Sequence, residues 1–264
     1  MPLDDTSGPR RVRGHRPPAG QPVLDRAFAL LAAFDTEHRA QPLSDLARRT
    51  GMPRSTALRL ARKLTELGAL EQLEDGRYVI GLRLLEIASL APRGHGLRQV
   101  AMPFMEDLFH VTRHHVLLTV RDEDQALLVE RLSAHDAGPV RFRIGERLPL
   151  PTTGGGLVLL AFAPSAVRER VIGTSQSATG TDEILGGQDL RRALAEIRRG
   201  EYATASQREP WPRSVAAAPV RTLEHVVAAL SIVAPTNEFD PMVLVPAVRA
   251  AAHAISRELT GAQS

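Results

Sequence analysis

Within Leu43–Ile80 the hydrophobic period changes from helical to extended, and the punctuation between the pieces is specific. Leu43–Thr50 reads as a short helix and Gly51-Met52-Pro53 as a turn. Arg54–Leu64 reads as a second helix that stops at Gly68. Leu70–Leu73 and Arg77–Ile80 then flank Glu74-Asp75-Gly76, the pattern of a hairpin. In the second helix Ala57, Leu60, Ala61, Leu64 and Leu67 share one face, while Ser55, Arg59 and Arg62 share the other and Arg54 and Thr56 open it. A preceding helical stripe, Val23, Ala27, Leu30, Leu31 and Phe34, continues through Leu43, Leu46 and Ala47. Ser44 is the expected N-cap, Pro53 suits a first helical turn and Gly68 suits the position just past a helix end. Three helices followed by a hairpin is the order of a winged helix-turn-helix, which lays its second motif helix in the DNA major groove.

Charge follows the same partition. The first 80 residues hold 13 basic against 10 acidic residues and the rest hold 20 of each, so the net charge of +3 lies wholly in the first third. Lys63 is the one lysine; all other basic residues are arginine, a planar donor suited to phosphate and guanine edges and also common in GC-rich coding sequence. The absence of cysteine excludes disulfides, thiolate zinc sites and cysteine nucleophiles. No apolar run reaches the roughly 20 residues that span a bilayer. Met1–Gly20 has arginines but no apolar core, so the expected location is cytoplasmic.

The expected organisation is a disordered basic tail at 1–20, a winged helix-turn-helix at 21–81, a linker helix and hinge at 82–96, and an α+β domain at 97–264. The tail is either simply solvated or adds phosphate contacts. Leu82–Leu90 reads as the linker helix, and Arg93-Gly94-His95-Gly96 as a break. Leu97–Arg113 is expected to bury Val100, Phe104, Leu108 and Val111. Strands are expected at Val116–Val120, Ala126–Leu132, Val140–Ile144, Tyr202–Ser206, Val215–Val220 and Val226–Val233. Helices are expected at Gly155–Phe162, Ala166–Val171, Leu190–Arg199 and Val243–Leu259. The last two strands read as a hairpin, so the sheet should be mostly antiparallel.

Pro42–Thr56 resembles the helix-turn-helix of the IclR family of bacterial transcription regulators. Gly76–Glu86 looks like that family's wing and linker start, and Gly145–Leu150 is similar to the stretch leading into its effector site. Ala195–Arg199 with Tyr202-Ala203, Ala217–Val220 and Val227–Ser231 match in the same order. Several motifs in register over Val23–Leu259 are far more specific than one helix-turn-helix. The resemblance implies a C-terminal α+β domain (GAF/profilin-like) that binds a small effector, and a homodimer or dimer of dimers on a palindromic or repeated duplex operator. It implies no cofactor.

Arg54, Ser55, Thr56 and Arg59 are the candidates for base edges or phosphates, with Arg62, Lys63 and Arg77 expected at phosphates and Ser44 on the neighbouring helix. Thr152-Thr153-Gly154-Gly155-Gly156 precedes a helix, whose exposed N–H groups attract anions. The resemblance places the effector against this loop, Ser214–Val215 and Ser231, with Trp211 as a wall. This sequence departs from the family at Pro151, Gly154, Leu157 and Ala205, where His, Ala or Ser, Lys and an acidic residue are common. The changes make the site less polar, which points to an organic or aromatic acid rather than a tiny dicarboxylate.

Two other classes compete. A winged helix can serve as a protein-interaction module without touching DNA. Alternatively, Glu106, His110 and His114 recur at helical spacing beside His115, a pattern that can hold a catalytic metal. No Gly-x-Ser-x-Gly elbow, P-loop or dinucleotide-binding glycine motif is present, and the expected protein is not an enzyme.

Overall fold

A computed structural model describes residues 22–35, 37–133, 142–175, 187–207, 212–223 and 225–261. The expected tail at 1–20, the start of the expected strand at Val140 and the candidate Trp211 lie outside the described residues. The chain forms two compact units, Met1–Ile87 and Ala88–Ser264.

The first unit holds α1 (Val23–Leu31), α2 (Leu43–Thr50), α3 (Arg54–Glu66) and an antiparallel pair, β1 (Leu70–Gln72) with β2 (Tyr78–Ile80). Leu30, Leu46, Ala57, Leu60, Ala61, Leu64 and Leu70 form its core, so the apolar stripes of α2 and α3 face inward, except for Leu67, which is 59% exposed because α3 ends at Glu66 and Leu67 is its C-cap. Val23, expected on that core stripe, is instead 56% exposed, because it lies at the free start of α1. Ser44 does not cap α2: the cap position is Pro42, whose carbonyl accepts from Asp45 N, and Ser44 lies exposed in the first turn. Pro53 is likewise the cap of α3 rather than its first helical residue. The end of α3 is a Schellman turn, with Ala69 N donating to Leu64 O and Gly68 N to Thr65 O. Gly68 sits at φ +72°, which favours glycine. Gly81 follows β2 and passes so close that an added Cβ would stand 2.2 Å from Gly68 O, so these two glycines set how the wing crosses the helix end. Buried Gln41 adds a bridge to Tyr78 and holds Ala33 O through its Nε2, a link no sequence pattern announces.

α4 (Leu82–Ser89) buries no residue fully, and Leu82, Leu85 and Ile87 are more than half exposed. The expected break at Arg93–Gly96 is a π-helical turn, Pro92–Gly96, running directly into α5 (Leu97–Thr112). α5 buries Leu97, Ala101, Met105 and Leu108, one residue round from the expected stripe; Val111 is 81% exposed.

The second unit is built on a six-stranded, wholly antiparallel sheet, so the α+β class holds. Its strands are β3 (His115–Asp122), β4 (Gln125–Leu132), β5 (Arg147–Pro149), β6 (Ala203–Gln207), β7 (Arg213–Arg221) and β8 (Val226–Pro235), in spatial order β5-β4-β3-β8-β7-β6. β5 was not expected. Residues 142–144, expected as strand, are not in one, and Gly145 turns the chain at φ +84°. One face packs α5 and α9 (Pro241–Gly261) through Leu118, Leu230, Ile232, Val248 and Ile255. The other packs α6 (Gly154–Ala161) and α8 (Gly187–Gly200), with α7 (Ser165–Ser175) between them in sequence. A bulge between Leu118 and Thr119 resets the alternation of β4, sending Leu128 to the α6 face and Glu130 to the α5 face, where it pairs with Arg98.

Candidate functional site

α3 turns its apolar residues inward because they recur at helical spacing, and the same spacing carries Arg54, Ser55, Arg59 and Arg62 to the surface. Thr56 is half-buried beside them. Arg54, Arg59 and Arg62 have no ion-pair partner among the described residues, so their guanidinium groups face solvent. Lys63 and Arg77 are also exposed but engaged: Lys63 Nζ lies 2.8 Å from Glu66, and Arg77 Nε donates to Asp75 Oδ2 at 2.7 Å. The backbone N–H of Arg77, and then its side chain, hold the Asp75 carboxyl below its ordinary value. Of the eight nominated residues, six thus line α3, Ser44 lies on α2, and Arg77 is in the wing turn.

In the second unit the Thr152–Gly155 loop, Ser214, Val215 and Ser231 come together around one cavity of about 950 Å³. Pro151, Leu157 and Ala205 line it as well. Thr153 caps α6, its Oγ1 accepting from Gly156 N at 3.0 Å, which leaves the N–H groups of Gly154 and Gly155 without intrahelical acceptors. Neither glycine has free space for a side chain. A Cβ on Gly154 would stand 2.7 Å from Val215 Cγ1, and one on Gly155 would stand 2.8 Å from Thr119 Oγ1 and 2.9 Å from Ser231 Oγ. Ser231 is 3% exposed and its Oγ has no hydrogen-bond partner among the described residues. The strand alternation that turns Ser231 toward α6 turns Ser214 away: Ser214 Oγ donates to Thr236 Oγ1 and meets Ser206 Oγ at 3.0 Å, while Val215 presents its side chain to the cavity. Gly156 does not line the cavity; it abuts Leu150 O behind the loop.

The sequence reading missed Thr119 and the apolar wall of Leu117, Leu128, Phe142, Leu148 and Val233. Only strand alternation marks Leu117, Thr119, Leu128 and Val233, and the bulge in β4 interrupts it; Phe142 lies in no strand and Leu148 on the unexpected β5. The Glu106–His110–His114 series does not form one face, since α5 ends at Thr112 and Arg113 takes a left-handed φ of 56°. Among the described residues no helix is long and apolar enough to cross a membrane.

Comparison with known proteins agrees across both units. The model of the IclR helix-turn-helix domain matches residues 23–74, and that of the bacterial transcriptional regulator IclR C-terminal domain matches 91–257. The glycerol operon regulatory protein of Streptomyces griseus is 31% identical over 89% of this chain and 95% of its own. The HTH-type transcriptional regulator XynR of Escherichia coli is 28% identical over 82% and 87% respectively. An IclR homolog from Microbacterium hydrocarbonoxydans, solved in complex with 4-hydroxybenzoate, is 35% identical, covers 90% of this chain and 99% of its own, and superimposes with a TM-score of 0.84. These relatives are regulators rather than enzymes, and this chain belongs to the IclR family of bacterial transcriptional regulators.

Proposed function

We propose that this regulator binds a palindromic or repeated duplex operator through α3 and changes its affinity for that operator when an aromatic carboxylic acid enters the cavity of the second unit. The observation carrying the ligand class is the pairing of bare α6 amides and the unpartnered Ser231 hydroxyl with a wall of Leu117, Leu128, Leu148 and Val233. A helix start stabilises an anion by about 0.3–1 kcal/mol, more when partly buried. The apolar wall rewards a ring. The 4-hydroxybenzoate held by the Microbacterium homolog supports the same class.

In the first unit, Arg54 and Arg59 present the bidentate donors that read guanine, and Arg62, Lys63, Arg77 and Ser44 meet phosphates. Leu24 and Phe28 on α1, and Leu82 and Leu85 on α4, are each at least 65% exposed, an apolar surface that a second copy would cover. A homodimer, or a dimer of dimers, working in the cytoplasm follows from this reading.

Selecting duplexes from a random pool with the full chain and titrating them by fluorescence anisotropy at rising salt tests the DNA half. Affinity should fall with a log–log slope of about −0.9 per phosphate contact. A chain that enriches no sequence would favour the protein-interaction alternative.

A further inference from the structure

The cavity is wider than one aromatic ring, and its two ends differ in chemistry. Its floor draws on every strand: Leu148 of β5, Leu128 of β4, Leu117 of β3, Val233 of β8, Val215 of β7 and Ala205 of β6. Six strands at about 4.8 Å spacing make a floor about 24 Å across. At about 950 Å³ the cavity is near the upper end of the roughly 300–1,000 Å³ that holds drug-sized ligands.

The anchor lies near the middle of this floor. Gly154 abuts Val215 of β7, and Gly155 abuts Thr119 of β3 and Ser231 of β8. A benzoate held by its carboxylate there would cover the adjoining strand and leave the outer floor bare. Toward β6 the lining is polar and charged, with Glu196, Gln207 and Arg213, and offers a ligand little apolar surface to bury. Toward β5 it carries Leu117, Leu128 and Leu148 with Phe142, all apolar. An anchored acid therefore gains apolar burial in one direction, from β8 toward β5.

Building on the cavity as the effector site, we propose that the effector is an elongated aryl acid. One carboxylate sits at the α6 start beside Ser231, and two apolar units in line, either two rings or a ring and a chain of several methylenes, reach Leu128 and Leu148. Each methylene newly buried along this floor raises affinity about fourfold.

Isothermal titration of the full chain with benzoate, 3-phenylpropanoate, 5-phenylpentanoate and biphenyl-4-carboxylate tests this. Affinity should rise along the series, by at least tenfold from benzoate to biphenyl-4-carboxylate. Leu148 lies on the short edge strand and is half-buried, so Leu148→Gln should fold and should narrow the long-to-short affinity ratio about fivefold. Leu128→Phe, which fills the floor between the anchor and Leu148, should narrow it further. Benzoate binding as tightly as the longer acids would overturn the elongated class while leaving the cavity as an acid site. Failure of the whole series to bind at millimolar concentration would overturn the effector site itself.

Discussion

In the winged unit, α3 turns Ala57, Leu60, Ala61 and Leu64 inward and Arg54, Ser55, Arg59 and Arg62 outward, so one periodic stretch carries both the core and the reading face. In the α+β unit the cavity is assembled from six strands, two helices and a loop, and at its anchor it depends on side chains that are missing, at Gly154 and Gly155. The first arrangement tolerates change outside and resists it inside. The second resists the addition of a single carbon where the ligand sits. Surface chemistry and cavity chemistry therefore fail in different ways, and substitutions can separate them.

The largest expected effect belongs to the surface. Arg54→Ala with Arg59→Ala should cost about 2–6 kcal/mol of operator affinity if each makes a good bidentate contact. Thermal unfolding should move by no more than about 0.5 kcal/mol, as for exposed residues generally. Gly81→Ala should do the reverse in the same unit. Its Cβ would meet backbone, Gly68 O at 2.2 Å, so stability should fall by about 1–3 kcal/mol in denaturant titrations.

In the cavity, Gly155→Ala should weaken acid binding about tenfold or more, ~1.4 kcal/mol, by calorimetry, with operator affinity in the absence of acid retained. Its new Cβ would crowd Thr119 Oγ1 and Ser231 Oγ, two hydroxyls that can give a little, so the fold should survive. Ser231→Ala should be the mildest. Acid affinity should drop by ~1 kcal/mol, while stability of the free protein holds or rises because the hydroxyl it removes is buried without a partner.

The same contrast explains what could be read in advance. The helix-turn-helix was legible because a buried helix face and turn glycines leave a periodic trace, and Gly51 and Gly68 do end α2 and α3. Ser44 misled because a polar residue near a helix start resembles a cap, whereas Pro42 occupies that position. In the second unit the long strands and helices were legible, but β5 has only three residues and follows the turn at Gly145. The glycine loop was found and its neighbours largely were not. Thr119 and Leu128 sit mid-strand among other apolar residues, and the bulge between Leu118 and Thr119 changes which face each residue of β4 meets. Ser214 and Val215 were nominated together from the family resemblance, which does not say which of two adjacent strand residues turns its side chain to the cavity.

The central claim is that an acid in the cavity changes how tightly the chain holds DNA. Its most direct test is an anisotropy titration of the selected operator duplex with and without saturating biphenyl-4-carboxylate. Couplings between sites are commonly about 1–3 kcal/mol, so operator affinity should shift by about fivefold or more, and Gly155→Ala should need a correspondingly higher acid concentration for the same shift. An operator affinity left unchanged by an acid that calorimetry shows to be bound would contradict the account.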